Sequence, residues 1–250
     1  MEKAVERYRF FLKDTVRQTI DFSLTDQSRG TPPPPLEQPY AADSRRIDLV
    51  RRDNWQYLSG MDLISAIQNR SSHRTFKPEP LSIEEVSFLL WATQGIRKHA
   101  NEATAFRTVP SAGCRHALET YLCILNVPGL EAGIYRYLPV EHQLLVVSTD
   151  KNLRGKITAA TFNQAFIGQA PVTFIWTAVP YRMEWRYHIA AHKVIALDAG
   201  HVCQNLYLAS AAIGGGTCAI AAYRQELMDE LLGVDGDNEF TLYLAPVGKI

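Results

Sequence analysis

The sequence predicts an α+β domain preceded by an N-terminal arm, on three observations. Two continuous apolar runs, 120–127 (TYLCILNV) and 172–179 (VTFIWTAV), read as strands covered on both faces. Other segments place apolar residues at helical spacing, and the two kinds mix without the strict alternation of a doubly wound sheet. Finally, Pro32, Pro33, Pro34 and Pro35 cannot continue a helix or enter a central strand, so they set residues 1–60 apart as an extended arm.

Each element has a local reason. A charged helix is expected over about residues 4–19, ahead of the prolines. The compact domain, 61–250, opens with a short helix after Asp62, whose apolar face is Leu63, Ile64, Ala66 and Ile67. Ser82 with Glu85 three residues on is a capping box for a helix with a stripe of Ile83, Val86, Leu89 and Leu90, closed by Gly95 at C′. Tyr135 with Tyr137 and then 144–147 form two strands joined through Pro139 and His142. A long buried helix ends at Gly214, Gly215 and Gly216, which act as cap and linker. A short segment, 217–223, leads to a helix over 224–232 capped by Gly233, and 239–247 is the last strand.

Composition narrows the function. The 250 residues are 46% hydrophobic and 21% charged, as in a folded domain with a large core. Lys plus Arg equals Asp plus Glu at 26 each, so no basic surface favours nucleic acid, and a small molecule or a second copy is the expected partner. Cys114, Cys123, Cys203 and Cys218 form no C-x-x-C pair, which fits a reducing cytoplasm. Glu2, Lys3, Glu6 and Arg7 are too charged for a secretory signal, and the most apolar stretch, 189–213, is interrupted by Lys193, Asp198 and His201, so no membrane span is expected.

Several clusters carry chemistry, each beside a plainer reading. Arg70, Ser72 and Arg74 alternate, so an extended segment puts two guanidiniums and a hydroxyl on one side, suited to a phosphate or an electron-rich carbonyl. A solvated loop explains the same spacing. Pro110, Ser111, Ala112 and Gly113 let a backbone approach a flat ligand, or make an ordinary turn. Arg186 and Tyr187 offer a fixed cation and a general acid, or a stacked surface cluster. His188 and His192 lack the glutamate of a zinc-protease helix, since Ile189 stands in its place, so no metal is expected. The glycines at 214–216 follow a helix, which rules out a dinucleotide fingerprint.

The order of these clusters resembles the nitroreductase family, in its azoline-oxidase-like (SagB/ThcOx-type) branch. The matching residues run from Arg70-x-Ser72-x-Arg74-x-Phe76-x-Pro78 through Leu89-Leu90-Trp91-Ala92-x-Gln94-Gly95 and Arg107-Thr108-Val109-Pro110-Ser111-Ala112-Gly113. They continue with Gly133-Ile134-Tyr135-x-Tyr137, then Asp198-Ala199-Gly200-His201 to Leu206-Tyr207-Leu208-Ala209, Gly216-Thr217-Cys218-Ala219-Ile220 and Pro246-Val247-Gly248-Lys249. The resemblance, over about 62–250, implies a mostly antiparallel sheet flanked by helices in an intertwined homodimer with two FMN sites at the interface. It implies that Arg70, Ser71, Ser72 and Arg74 hold the phosphate, ribityl chain and pyrimidine edge. Pro110, Ser111, Ala112 and Gly113 would come from the other subunit. Ala219, Ile220, Ala221 and Ala222 would run past the ring, and Gly248 and Lys249 would lie at the phosphate. Three departures stand out: Ser71 replaces an arginine, His116-Ala117 replaces Tyr-Pro, and Arg186 replaces the lysine of a Lys-Tyr pair.

The expected activity is ping-pong transfer of hydride from NAD(P)H through FMN to a small electrophilic acceptor. An azoline dehydrogenase acting on a modified peptide, or a flavin-binding protein without turnover, are the alternatives.

Overall fold

The structure, a computed structural model, describes residues 2–58 and 60–250; Met1 and Ser59 lie outside the described residues. The arm begins with α1 (Glu2–Arg9) and continues as three 3-10 turns, Phe10–Leu12, Thr15–Thr19 and Phe22–Leu24, in place of the single helix expected to residue 19. Lys13 is extended at φ −84° and ψ 152°. The aromatic pair Phe10 and Phe11 and the β-branched Thr15 and Val16 lose side-chain freedom in a helix.

The arm lies on its own chain. Gln27 N–H donates to the Trp185 carbonyl at 2.9 Å, and the Trp185 indole N–H donates to the Thr31 carbonyl at 2.9 Å. Further on, β1 (Arg46–Asp48) joins the edge of the main sheet, where Arg46, Ile47 and Asp48 pair with Leu145, Leu144 and Gln143.

After α2 (Leu63–Asn69) comes α3 (Ile83–Gln94), with both halves of the Ser82–Glu85 capping box formed. Gly95 ends it with φ −61° and ψ 141°, extended where a left-handed cap was expected. A Cβ there would stand 2.5 Å from Trp91 Cδ1, so the glycine is needed for close approach, not for its handedness. The chain turns at once into a polar hairpin that the sequence does not announce, β2 (Ile96–Asn101) with β3 (Thr104–Arg107).

The main sheet adds β4 (Leu118–Ile124), β5 (Gly133–Leu138), β6 (Gln143–Thr149), β7 (Val172–Ala178), β8 (Gly215–Thr217) and β9 (Phe240–Lys249). Its order is β1-β6-β5-β4-β7-β9-β8, and every neighbouring pair is antiparallel. Gly214, at φ 65°, caps the preceding helix as expected, but Gly215 and Gly216 belong to an edge strand and not to a linker.

β4, β5 and β7 are buried along their whole length, as the apolar runs of β4 and β7 predict. Alternation divides their side chains between two cores. Leu122, Phe174 and Trp176 pack with Leu89 of α3 and with Leu206 of α7 (Ala191–Ala212). Tyr121, Cys123 and Ile175 pack with Ile157 of α4 (Leu153–Ala160) and with Met228 of α8 (Gln225–Leu232). Helices therefore cover both faces of the sheet. The short α5 (Ala165–Gln169) leads into β7, and α6 (Tyr181–Tyr187) connects β7 towards α7. Among the described residues no helix is long and apolar enough to cross a membrane.

Candidate functional site

α7 organises the polar features, because it runs between two clusters that the sequence keeps far apart. At residue 207 its tyrosine hydroxyl accepts the Ala219 N–H at 2.9 Å and shares a second hydrogen bond with Ser72 Oγ, also at 2.9 Å, in which either oxygen can donate. Ser72 forms a parallel bridge with Thr217, and His73 N–H donates to the Thr217 carbonyl at 2.9 Å. The loop of Arg70, Ser71, Ser72 and Arg74 is thereby fixed beside the segment that starts at Ala219, within one chain. The Arg70 guanidinium lies 5.3 Å from the centre of the Tyr207 ring. Arg70 and Arg74 are exposed, and neither pairs with a carboxylate among the described residues. Ile220 exchanges backbone hydrogen bonds with Leu244, at 2.8 and 3.1 Å, and so holds the exposed Ala221 and Ala222 at the rim of the sheet.

The second cluster gathers around Pro110, Ser111, Ala112 and Gly113. The Ser111 hydroxyl and Ala112 N–H face the Asp198 carboxylate of α7 and favour its charged form, against burial, which is stronger and raises its pKa. Ser111 Oγ also accepts the His116 N–H at 2.9 Å. Burial and the nearby Arg107 hold His116 neutral, down to about 3. Gly113 sits at φ 58°, and a Cβ on it would meet the Tyr187 hydroxyl at 2.6 Å and Arg186 Cδ and Nε at 3.1 Å. The Pro110–Gly113 turn and the Arg186–Tyr187 pair are therefore one unit, which the sequence treats as two separate clusters.

Asp198 and Tyr207 are nine residues apart on α7, two and a half turns, so they point to opposite sides and lie about 13 Å apart along the axis. One flat ligand cannot lie against both clusters of a single chain.

The remaining expected residues serve packing in this chain. A Cβ on Gly248 would stand 2.9 Å from Pro171 Cδ and 3.0 Å from Phe76 Cβ. The Lys249 ammonium contacts Glu85 and donates to the Ile213 carbonyl at 2.8 Å. His192 Nε2 pairs with Glu184 Oε1 at 2.7 Å.

Sequence reasoning also missed the foundation beneath α6. Arg182 and Glu119, each with a side chain 2% exposed, form a buried ion pair. Glu119 Oε1 also accepts the Gln38 N–H of the arm at 2.8 Å, while Arg107 donates to the Leu36 carbonyl at 2.8 Å and Arg136 to the Gln38 carbonyl at 2.9 Å. Only the apolar setting of Glu119 on a buried strand could have signalled this, because a buried carboxylate needs a partner.

Known proteins resemble the chain in sequence and in fold. A protein of Methanocaldococcus jannaschii named as a nitroreductase is 32% identical over 180 residues, spanning 72% of this chain and 87% of its own. The trifolitoxin-processing protein TfxB of Rhizobium leguminosarum bv. trifolii is 25% identical over 166 residues, 63% of this chain and 44% of its own length. A crystal structure of a nitroreductase-type protein from Ralstonia eutropha JMP134 superposes with a TM-score of 0.67 at 24% identity, covering 87% of this chain and 98% of the other. The model of the nitroreductase family matches residues 67–249, which takes in the Arg70 loop, α7 and the Ala219 segment alike; the chain belongs to the nitroreductase family, whose members are oxidoreductase enzymes.

Proposed function

We propose that this oxidoreductase binds FMN at a site shared by two copies of the chain, and that it moves a hydride equivalent from NAD(P)H to a small electrophilic acceptor in ping-pong order. The observation that carries the reading is the pair of unpaired guanidiniums, Arg70 and Arg74, fixed by the Ser72–Thr217 bridge beside the exposed backbone of Ala221 and Ala222. A bound anion needs such cations, and a flat ring needs small side chains at its edge.

Arg70, Ser71, Ser72 and Arg74 would hold the phosphate, the ribityl hydroxyls and the pyrimidine edge. The backbone from Ala219 to Ala222 would run along the ring, with Gly248 close by. Lys249 would reach the phosphate only by leaving Glu85. The two-electron chemistry comes from the isoalloxazine ring when it is bound. A fixed guanidinium at the pyrimidine edge favours the negative charge that reduction places there. Tyr187 can donate the proton that the acceptor takes with its electrons, whereas Arg186 stays protonated and serves only to stabilise charge.

Pro110, Ser111, Ala112 and Gly113 would come from the second copy, since α7 separates them from the Arg70 loop of their own chain. The exposed face of α2 supports such an assembly: Leu63, Ile64 and Ile67 are 64%, 77% and 58% exposed. An apolar groove of about 420 Å³ lies beside it, lined by Met61, Trp91, Leu208 and Ala212. Large exposed apolar patches mark interaction surfaces.

The test is direct. Purified protein reconstituted with FMN is expected to be yellow and to run as a dimer in sedimentation, and NADH or NADPH should bleach its flavin band under anaerobic conditions. A colourless preparation after reconstitution would sink the reading. The SagB-type alternative, oxidation of an azoline ring in a modified peptide, draws on the likeness to TfxB and on Tyr187 beside a cation. There Tyr187→Phe would abolish peptide oxidation and spare flavin reduction by NAD(P)H.

A further inference from the structure

We propose that Arg115 and Arg186 form an anion-recognition site beside Tyr187, one that takes a carboxylate or phosphate group carried by a substrate. The proposal rests on the flavin-oxidoreductase reading and adds to it the charge of the molecule that enters.

Both side chains converge on Gly113. Arg186 Cδ and Nε lie 3.1 Å from the place a Cβ of Gly113 would occupy, and Arg115 Nε donates to the Gly113 carbonyl at 3.3 Å. Arg115 is held by neutral acceptors alone, the Ala103 carbonyl at 3.2 Å and Thr104 Oγ1 at 3.0 Å, with its guanidinium 5.2 Å from the centre of the Trp185 ring. Arg186 lies 5.5 Å from the Tyr187 ring centre and has no ion-pair partner among the described residues.

Among the described residues no carboxylate pairs with either arginine: Glu102 of the β2–β3 turn is exposed and in no ion pair, and the others are committed elsewhere. Asp198 faces Ser111 and Ala112, Glu184 pairs with His192, and Glu119 pairs with Arg182. Burial and then the charge of Arg186 lower the pKa of Arg115, and Cys114 and Tyr187 oppose the shift. Two like charges held together without a counter-ion are a cost to the folded chain, and an incoming anion relieves it. The Arg186 fork matches the two oxygens of a carboxylate or phosphate, Arg115 keeps Nη1 free to donate beside it, and the half-buried Tyr187 ring would favour a ligand with an aromatic body.

The anion can belong to the acceptor or to the reductant, and binding separates the two. Calorimetry on the FMN-reconstituted protein would compare 4-nitrobenzoate with nitrobenzene, and adenosine 2′,5′-bisphosphate with adenosine. We expect at least one charged probe to bind about tenfold tighter than its neutral partner, a preference that weakens with salt, as screened ion pairs do. Arg186→Gln and Arg115→Gln should each erase most of that preference, and Arg115→Lys should retain part of it. Selectivity confined to nitrobenzoate assigns the anion to the acceptor, and selectivity confined to the bisphosphate assigns it to the reductant. Equal binding of charged and neutral probes overturns the proposal, as does a preference that survives both glutamine variants. Should Arg115→Gln fail to fold, Arg186→Gln and the salt dependence decide alone. A colourless protein that still selects the anion defeats the flavin reading and not this one; a yellow, bleachable protein without selectivity does the reverse.

Discussion

On the Tyr207 side of α7, the polar contacts close within the chain: one hydroxyl ties Ser72 to the Ala219 N–H, and a bridge to Thr217 fixes the loop. On the Asp198 side, the turn at Gly113 is buttressed by α6 and by the arm, and it leaves two guanidiniums without a carboxylate. The first region is closed by its own contacts and turns two cations outward. The second carries the two arginines that we propose take an anion. A helix separates them, so on the proposed function they meet only across two copies of the chain, and substitutions on one side of α7 are expected to leave the other side intact.

The largest effect should come from the foundation of the second region. Glu119→Ala leaves Arg182 buried without its partner and removes the acceptor of the Gln38 N–H. Losing one member of a buried pair costs about 3–5 kcal/mol, so urea unfolding should show a stability loss of that size, with the arm and α6 loosened first. Arg70→Ala and Arg74→Ala strike the first region. Each should weaken FMN binding about ten- to a hundredfold, the scale of a charge-assisted hydrogen bond, with unfolding stability unchanged because neither side chain is buried. Flavin retained after gel filtration reads the loss.

Tyr207→Phe is milder. It removes the hydroxyl shared by Ser72 and Ala219, so about 1–2 kcal/mol of stability should go, and flavin affinity should fall without any change of charge. If Tyr207→Phe instead altered anion selectivity at Arg186, the two sides of α7 would not be independent.

The smallest effect concerns pH and the arm. Burial first, and the neighbouring Glu141 next, push the Glu37 carboxyl up to about 7, while the Val140 N–H opposes the shift. A carboxyl raised on folding contributes stability that is full below its ordinary range and lost as pH rises through the raised value. Amide exchange over residues 36–40, corrected for its intrinsic rate, should therefore quicken between about pH 4.5 and about pH 7, and level off above that. Glu37→Gln should flatten that profile.

Much of the fold was legible locally. The Ser82–Glu85 box, the unbroken strands of the central sheet and the left-handed Gly233 each follow from a few adjacent residues, because capping, burial on both faces and positive φ are satisfied or violated within a turn or two. The hairpin at 96–107 escaped because its residues are polar and do not alternate. The α-helix expected to run on to residue 19 ends at Arg9, because the aromatic and β-branched residues that follow, Phe10, Phe11, Thr15 and Val16, favour a helix only weakly. Lys249 was legible as a cation but not as one engaged with Glu85, 164 residues away.

Which residues carry charge, which are small enough to let backbone approach, and in what order they come are all written in the linear chain, so the family was readable without coordinates. Tertiary structure alone decided that Arg70 and Ala219 meet through Tyr207, that Gly113 carries Arg186 and Tyr187 upon it, and that α7 holds the two groups apart. The physical reason is range. Propensity and periodicity act over a few residues of chain, whereas a hydrogen bond between residues 72 and 207, or a repulsion between 115 and 186, exists only after the intervening segments have packed.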